Sequence, residues 1–273
     1  MIVNFGHLYQ EKHPELRLVE NADNILNKDW NPVFDLVKNK TFNFSKHTEV
    51  NTTSELWKNS TPKIMVAIND GNALKSLIEN DTTFECSSAL QFLIMLHLEY
   101  YQSVELKYLE INSKDLISSE TFKDKVEFVN LHSCPHLPLQ YQNEYINQNL
   151  EVGEWVYISG CVYWRLLSFV PDLIKRKTSY QGENCIYIGD GKFISFWRYD
   201  HQAKFEIKTF EEIINTLCER GKQEYQDMPR HLKRSLQKNF KKIKFQSDGK
   251  PLVFKNMFIP VGILSCSTMI LSN

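Results

Sequence analysis

Two short stretches carry residue types able to do nucleophilic chemistry together. Phe84-Glu85-Cys86-Ser87-Ser88-Ala89 stands directly before a long apolar run, and Gly182-Glu183-Asn184 opens a β-rich pair of segments far downstream. A thiol at the mouth of a helix meets backbone N–H groups that lack intrahelical partners. It also meets the positive end of the helix dipole, and both favour a thiolate. Glu85 beside it, and Glu183 arriving on a strand, are carboxylates able to move a proton during attack on an acyl carbon. The competing reading is plain burial, since free cysteine is among the residues most often found inside. A charged neighbour and a helix-entry position favour chemistry.

Other groups of the chain argue for little beyond this. The six cysteines, Cys86, Cys134, Cys161, Cys185, Cys218 and Cys266, form no Cys-x-x-Cys pair, and their spacing is wide and irregular. That pattern supports neither a zinc site nor a disulfide framework, and a reducing compartment is the simpler inference. His132 and His136 flank Cys134 with Pro135 between them and no fourth ligand in view, so no metal is assigned. His97 falls inside an apolar run and reads as a core residue. No cofactor is called for.

At 273 residues the chain is long enough to bury a core without staples. With 42% hydrophobic residues and a net charge of −1, it has the composition of an ordinary globular protein and a poor one for binding nucleic acid. The basic stretch from Arg230 to Lys250 reads as a solvated helix face. Met1 to His7 lacks the basic start and apolar core of an export signal, and no segment offers the roughly 20 apolar residues of a membrane span. Met257 to Leu271 is apolar but is broken by Pro260 and Gly262, and is expected as a strand or extended segment on the core. An intracellular location follows, unless an unconventional route exports the protein.

The elements that must position the two stretches are legible in outline. Ala73, Leu74, Leu77 and Ile78 recur at helical spacing, and Asn80 to Thr83 break that pattern. Cys86 to Tyr101 is nearly all apolar, without Gly or Pro, and predicts a helix buried on most faces with Cys86 in its first turn. Val126 to Leu131 alternates loosely as a strand, Pro135 and Pro138 mark a turn, and Gly153 to Ile158 is a strong strand. Ser168 to Gln181 reads as a loop. Glu183 to Ile188 and Lys192 to Arg198 flank Gly189-Asp190-Gly191 as a hairpin. Thr209 and Glu212 fit a capping box, Gly221 a helix stop, and a further helix is expected from Pro229 to Lys242.

ALKSLIENDTTFECSSA, GEWVYI and QGENCIYIGDGKF together resemble the protein-glutamine gamma-glutamyltransferases (transglutaminases) of spore-forming bacteria, within the wider papain-like group that includes cell-wall endopeptidases. The likeness spans about Ala73 to Glu219 and lies mainly in those three blocks. It implies an α+β, papain-like fold with the cysteine helix packed on a mainly antiparallel sheet. The division it suggests is a variable N-terminal layer over residues 1–60 and a catalytic domain over 61–273. By position it makes Cys86 the nucleophile, Glu183 the principal acid/base and Glu85 an assisting carboxylate. Phe84, Tyr180, Trp155 and Phe196 would line the substrate, with Tyr180 at a family tryptophan and Phe196 at a family histidine.

The implied partners are proteins bearing glutamine and lysine, and the implied setting is cytoplasmic or spore-associated, with an exported effector as the variant. Deamidation of glutamine on the same site is the enzymatic alternative, and an inactive adaptor, motivated by Phe196, the non-enzymatic one. The chemistry is demanding, because glutamate near pKa 4.3 must serve a thiol near 8.5, a gap of about 5–6 kcal/mol. Burial raising Glu183 and the helix terminus lowering Cys86 are expected to close it.

Overall fold

The computed structural model describes residues 2–3, 25–45, 49–62, 64–68, 72–102, 110–112, 146, 148, 150–167, 182–247, 250–252, 256–258, 260–263 and 269–271. In chain order the described elements begin with β1 (Ile2–Val3), α1 (Asn31–Val37), β2 (Phe42–Phe44), β3 (Asn51–Thr52), β4 (Trp57–Thr61) and β5 (Ile64–Ala67). Next come α2 (Ala73–Glu79), β6 (Thr82–Phe84), α3 (Cys86–Gln102), β7 (Glu110–Asn112), β8 (Trp155–Cys161) and α4 (Val162–Leu167). β9 (Gly182–Gly189), β10 (Lys192–Tyr199) and β11 (Gln202–Thr209) lead into α5 (Phe210–Asp227) and α6 (Arg230–Phe240). β12 (Ile243–Ser247), β13 (Lys250–Leu252), β14 (Pro260–Ile263) and β15 (Met269–Leu271) complete the order.

The centre is a sheet ordered β1-β8-β9-β10-β11-β2-β6-β3, antiparallel throughout except for the β2–β6 pair, with β14 beside β1 on the outer edge of β8. Its spine is the hairpin foreseen from the sequence. Gly189, Asp190 and Gly191 all take positive φ (94°, 52° and 68°), a turn that glycine enters at no steric cost and aspartate tolerates. β9 and β10 are buried along both faces, so α3 lies against one side and α5 against the other. The α3 face gathers Phe84, Phe92, Trp155, Ile186, Ile194, Phe196 and Phe205. The α5 face gathers Val156, Ile158, Cys185, Tyr187, Phe193, Trp197, Ile213 and Leu217. This is the α+β arrangement expected, a cysteine-bearing helix on a mainly antiparallel sheet.

Several expectations change in detail. Part of the stretch expected as a variable N-terminal layer is built into the sheet, through β1, β2 and β3. Trp30, Val33 and Phe42 sit in the same core as α3, so polar composition in that stretch hid strands whose inward residues are few but fully used. Gly221 does not stop α5, which continues to Asp227. A Cβ there would lie 3.1 Å from Cys161 Sγ and 3.2 Å from Tyr163, so the glycine permits close packing of the helix on β8 and α4. The capping box forms as read, with Thr209 Oγ1 accepting from Glu212 N–H and Glu212 accepting from Thr209 N–H. β14 pairs with β8 and β15 with β12, so two described segments of the apolar tail are sheet-bound strands. The strand expected at 126–131, the prolines at 135 and 138, the Cys134 group and the loop 168–181 lie outside the described residues.

Candidate active site

Glu85 ends the β6 extension and caps α3. Its carboxylate accepts from Ser87 N–H (3.0 Å) and from the Ser87 hydroxyl, while Glu85 N–H donates to Ser88 Oγ (2.9 Å). The exchange works as a capping box does, satisfying first-turn donors with side chains, and such caps contribute about 1 kcal/mol. The other carboxylate oxygen has a different partner. Cys86 Sγ–H donates to Glu85 Oε1 at 2.7 Å, so the cap and the thiol's proton acceptor are one group.

From the sheet, β9 presents Asn184. Its Oδ1 accepts from Trp155 Nε1–H at 3.2 Å, and its Nδ2 donates to Cys86 Sγ at 3.5 Å. Gly182, two residues earlier, is where the ring of Tyr157 crosses: a Cβ would meet its hydroxyl end and lie 2.6 Å from Ile158 O. Only glycine lets β9 start so close to β8.

Glu183 follows the alternation of the strand. Register pairs Tyr157 with Asn184, Ile158 with Glu183 and Val156 with Cys185, and side chains of paired residues share a face. Asn184 therefore joins Trp155 and Ile186 on the α3 side, and Glu183 joins Ile158 and Cys185 on the α5 side. The carboxylate of Glu183 is buried, and among the described residues its Oε1 has no hydrogen-bond partner. The resemblance places Glu183 next to the sulfur. Among the described residues the sulfur's hydrogen-bond partners are Glu85 and Asn184, and Glu183 acts on it through its charge.

Electrostatics set the resting form. Burial pushes the Cys86 thiol well above its ordinary value, the carboxylates of Glu85 and Glu183 push further, and the Asn184 amide pulls the other way. The helix terminus thus does not win against desolvation, contrary to the sequence-based expectation. Burial also raises the Glu183 carboxyl well above the usual range, opposed by Lys208 and aided by Glu85. Of the two groups, only Glu183 shifts in the direction expected from the sequence; the thiol moves upward as well, away from the carboxyl. A neutral thiol donating to Glu85 is the state these interactions favour.

The four aromatic positions assigned to substrate lining fall differently. Phe84 has 0% exposure and Phe196 1%, so neither offers an open ring face. Both belong to a cluster with Phe42, Phe92 and Phe205, in which Phe84 stacks on Phe92 at 5.3 Å between centroids. Phe196, which the sequence resemblance sets at a histidine position, lies on the thiol's side of the sheet among aromatic rings. Trp155 is also buried and holds Asn184 by its indole N–H. Tyr180 lies outside the described residues.

Sequence reasoning quoted Asn184 without giving it a role. The missing signal was which face each residue of β9 takes, and a strand buried on both faces shows no alternation to reveal it. His97 is a core residue as read: Nε2 contacts Ile25 O at 2.8 Å, the ring stacks on Trp30 at 3.8 Å, and burial lowers its pKa to about 4. Among the described residues no group of three His, Cys, Asp or Glu could hold a metal ion, and no helix is long and apolar enough to cross a membrane.

No protein-family profile matches the chain, and no curated protein sequence matches it. Among solved structures, the chain is similar to the transglutaminase from Geobacillus stearothermophilus (without C-terminal extension). Identity is 17%, the match covers 72% of this chain and 82% of that one, and the TM-score is 0.43.

Proposed function

We propose that the chain is a cysteine-dependent acyltransferase, a protein-glutamine gamma-glutamyltransferase that joins glutamine side chains to lysine amines. The observation that carries this reading is the 2.7 Å contact from Cys86 Sγ to Glu85 Oε1 at the first turn of α3, which pairs a nucleophile with a proton acceptor. The three sequence blocks around Cys86, Trp155 and Glu183 supply the substrate class by resemblance.

Cys86 Sγ attacks the carboxamide carbon of a protein glutamine as its proton passes to Glu85. The tetrahedral adduct collapses as that proton goes to the departing nitrogen, releasing ammonia and leaving a thioester. A lysine amine then attacks the thioester and gives its proton to Glu85. Collapse of that adduct expels the sulfur, which regains the proton, and the isopeptide bond is complete. Glu85 is the acid/base in this scheme. Glu183, to which the resemblance gives that role, acts from the far face of the sheet through its charge and protonation state.

Water in place of the amine would give glutamate and make the protein a deamidase. Incubation of wild type and Cys86→Ala with a glutamine-rich protein and a fluorescent primary amine separates the outcomes. Incorporation of the amine dependent on Cys86 supports crosslinking. Ammonia without incorporation identifies deamidation, and neither signal refutes both.

The buried Phe196 at a family histidine position favours one other reading, an inactive relative serving as an adaptor. Thiol labelling of the folded protein tests it: Cys86 unreactive even at alkaline pH supports the adaptor, and a thiol that labels supports the enzyme.

A further inference from the structure

We infer that the side-chain amide of Asn184 is a catalytic group: it donates a hydrogen bond to the sulfur at rest and to the oxyanion formed on the attacked carbon. This rests on the acyl-transfer reading above and supplies its second oxyanion donor, beside the backbone N–H of Cys86.

The geometry defines which end of the amide faces the thiol. Trp155 Nε1 can only donate, so the amide atom it contacts at 3.2 Å must be the oxygen, Oδ1. The remaining atom, Nδ2, then points to Cys86 Sγ at 3.5 Å. The arrangement is rigid. Trp155 and Asn184 have 5% and 8% exposure, and they stand on paired strands, Trp155 against Ile186 and Tyr157 against Asn184. An amide locked this way presents a donor that needs no reorganisation when charge develops.

The position suits the reaction. The oxygen that becomes anionic is bonded to the carbon attacked by Sγ, so it forms two bonds from the sulfur that Nδ2 already contacts, within the swing of the same donor. Cys86 is the first residue of α3, so its own N–H has no partner within the helix. The two donors approach the sulfur from the helix terminus and from the sheet. Among the described residues, Asn184 is also the group whose hydrogen bond favours the thiolate, against burial and two carboxylates. Among the described residues no histidine is hydrogen-bonded to the sulfur, and the ring at position 196 is phenylalanine within an aromatic cluster.

The test compares two reactions of the same thiol. Amine incorporation passes through an oxyanion, whereas alkylation by iodoacetamide develops none. Asn184→Ala is expected to lower kcat by about a hundredfold with KM little changed, the usual cost of losing one oxyanion donor. Its alkylation rate, measured at a pH where the thiol is ionised, should stay within about threefold of wild type. Trp155→Phe keeps the ring and removes the N–H that orients the amide. It should lower kcat by about tenfold, and it serves if Asn184→Ala fails to fold. Equal losses in incorporation and alkylation would overturn the assignment, since Asn184 would then merely tune the thiol. Undiminished kcat in both variants would overturn it as well, leaving the acyl-transfer reading intact. Absence of Cys86-dependent incorporation in the wild type would remove that reading and this assignment together.

Discussion

Cys86 and Cys185 lie on opposite faces of the same sheet, and the contrast in their surroundings is what the proposed acyl transfer turns on. Burial raises the pKa of both well above the ordinary value. Their partners differ. Cys86 opens a helix, donates to the Glu85 carboxylate at 2.7 Å and receives the Asn184 amide. Cys185 stands mid-strand and makes a 3.7 Å contact to the backbone oxygen of Glu183, with the Ser195 hydroxyl beside it. A backbone carbonyl cannot take the proton away, and Cys185 sits inside a strand rather than at a helix entry. Under the proposed function, a carboxylate acceptor and an amide donor at a helix entry distinguish the nucleophile from a thiol set between a backbone carbonyl and a hydroxyl.

The largest effect should come from removing each sulfur in turn. Cys86→Ala should abolish amine incorporation, a loss of at least about a thousandfold, while Cys185→Ala should leave turnover within about twofold. Equal losses would collapse the distinction between the two faces. Glu85→Gln comes next, with kcat lower by about a hundredfold as the proton acceptor is lost. Its amide can still accept from Ser87, so urea unfolding should show a loss of at most about 1 kcal/mol. A variant that lost activity only in proportion to its folded fraction would reduce Glu85 to a cap.

Glu183 tests the far face, by stability rather than rate. Its folded pKa is raised above the ordinary 4.5, so between that value and the raised one the folded chain holds a proton that the unfolded chain has released. Stability therefore falls as pH rises through that window and is unaffected below it. Glu183→Gln should match wild type in stability below about pH 4.5 and gain on it steadily above, as melting curves across pH would record. Its loss of turnover should be smaller than that of Glu85→Gln. The reverse order would return the acid/base role to Glu183. The smallest change concerns the thiol itself. The rate of Cys86 alkylation should keep climbing beyond the ordinary thiol pKa near 8.5, and a plateau below that pH would contradict the effect of burial.

The fold was legible where sequence signals are local. The Gly189-Asp190-Gly191 turn, the Thr209–Glu212 box and the start of α3 at Cys86 each depend on a few adjacent residues, and each forms as read. Gly221 was misread because a glycine that ends a helix and one that admits a neighbour look alike in sequence. Only the packing of Cys161 and Tyr163 against it tells them apart. Strands within the first sixty residues escaped notice because they are short and gain their stability from partners far along the chain, as β2 does from β11 and β6.

The amino-acid order by itself determined a thiol at a helix entry, a carboxylate adjoining it and a glycine-led strand to meet them, because capping and turn chemistry act over a few residues. Tertiary structure alone decided which of the two neighbours on that strand reaches the sulfur. With both faces of β9 buried, nothing in the pattern of apolar residues says which is which. Pairing with β8 fixes it, sending Asn184 to the thiol and Glu183 to the opposite core.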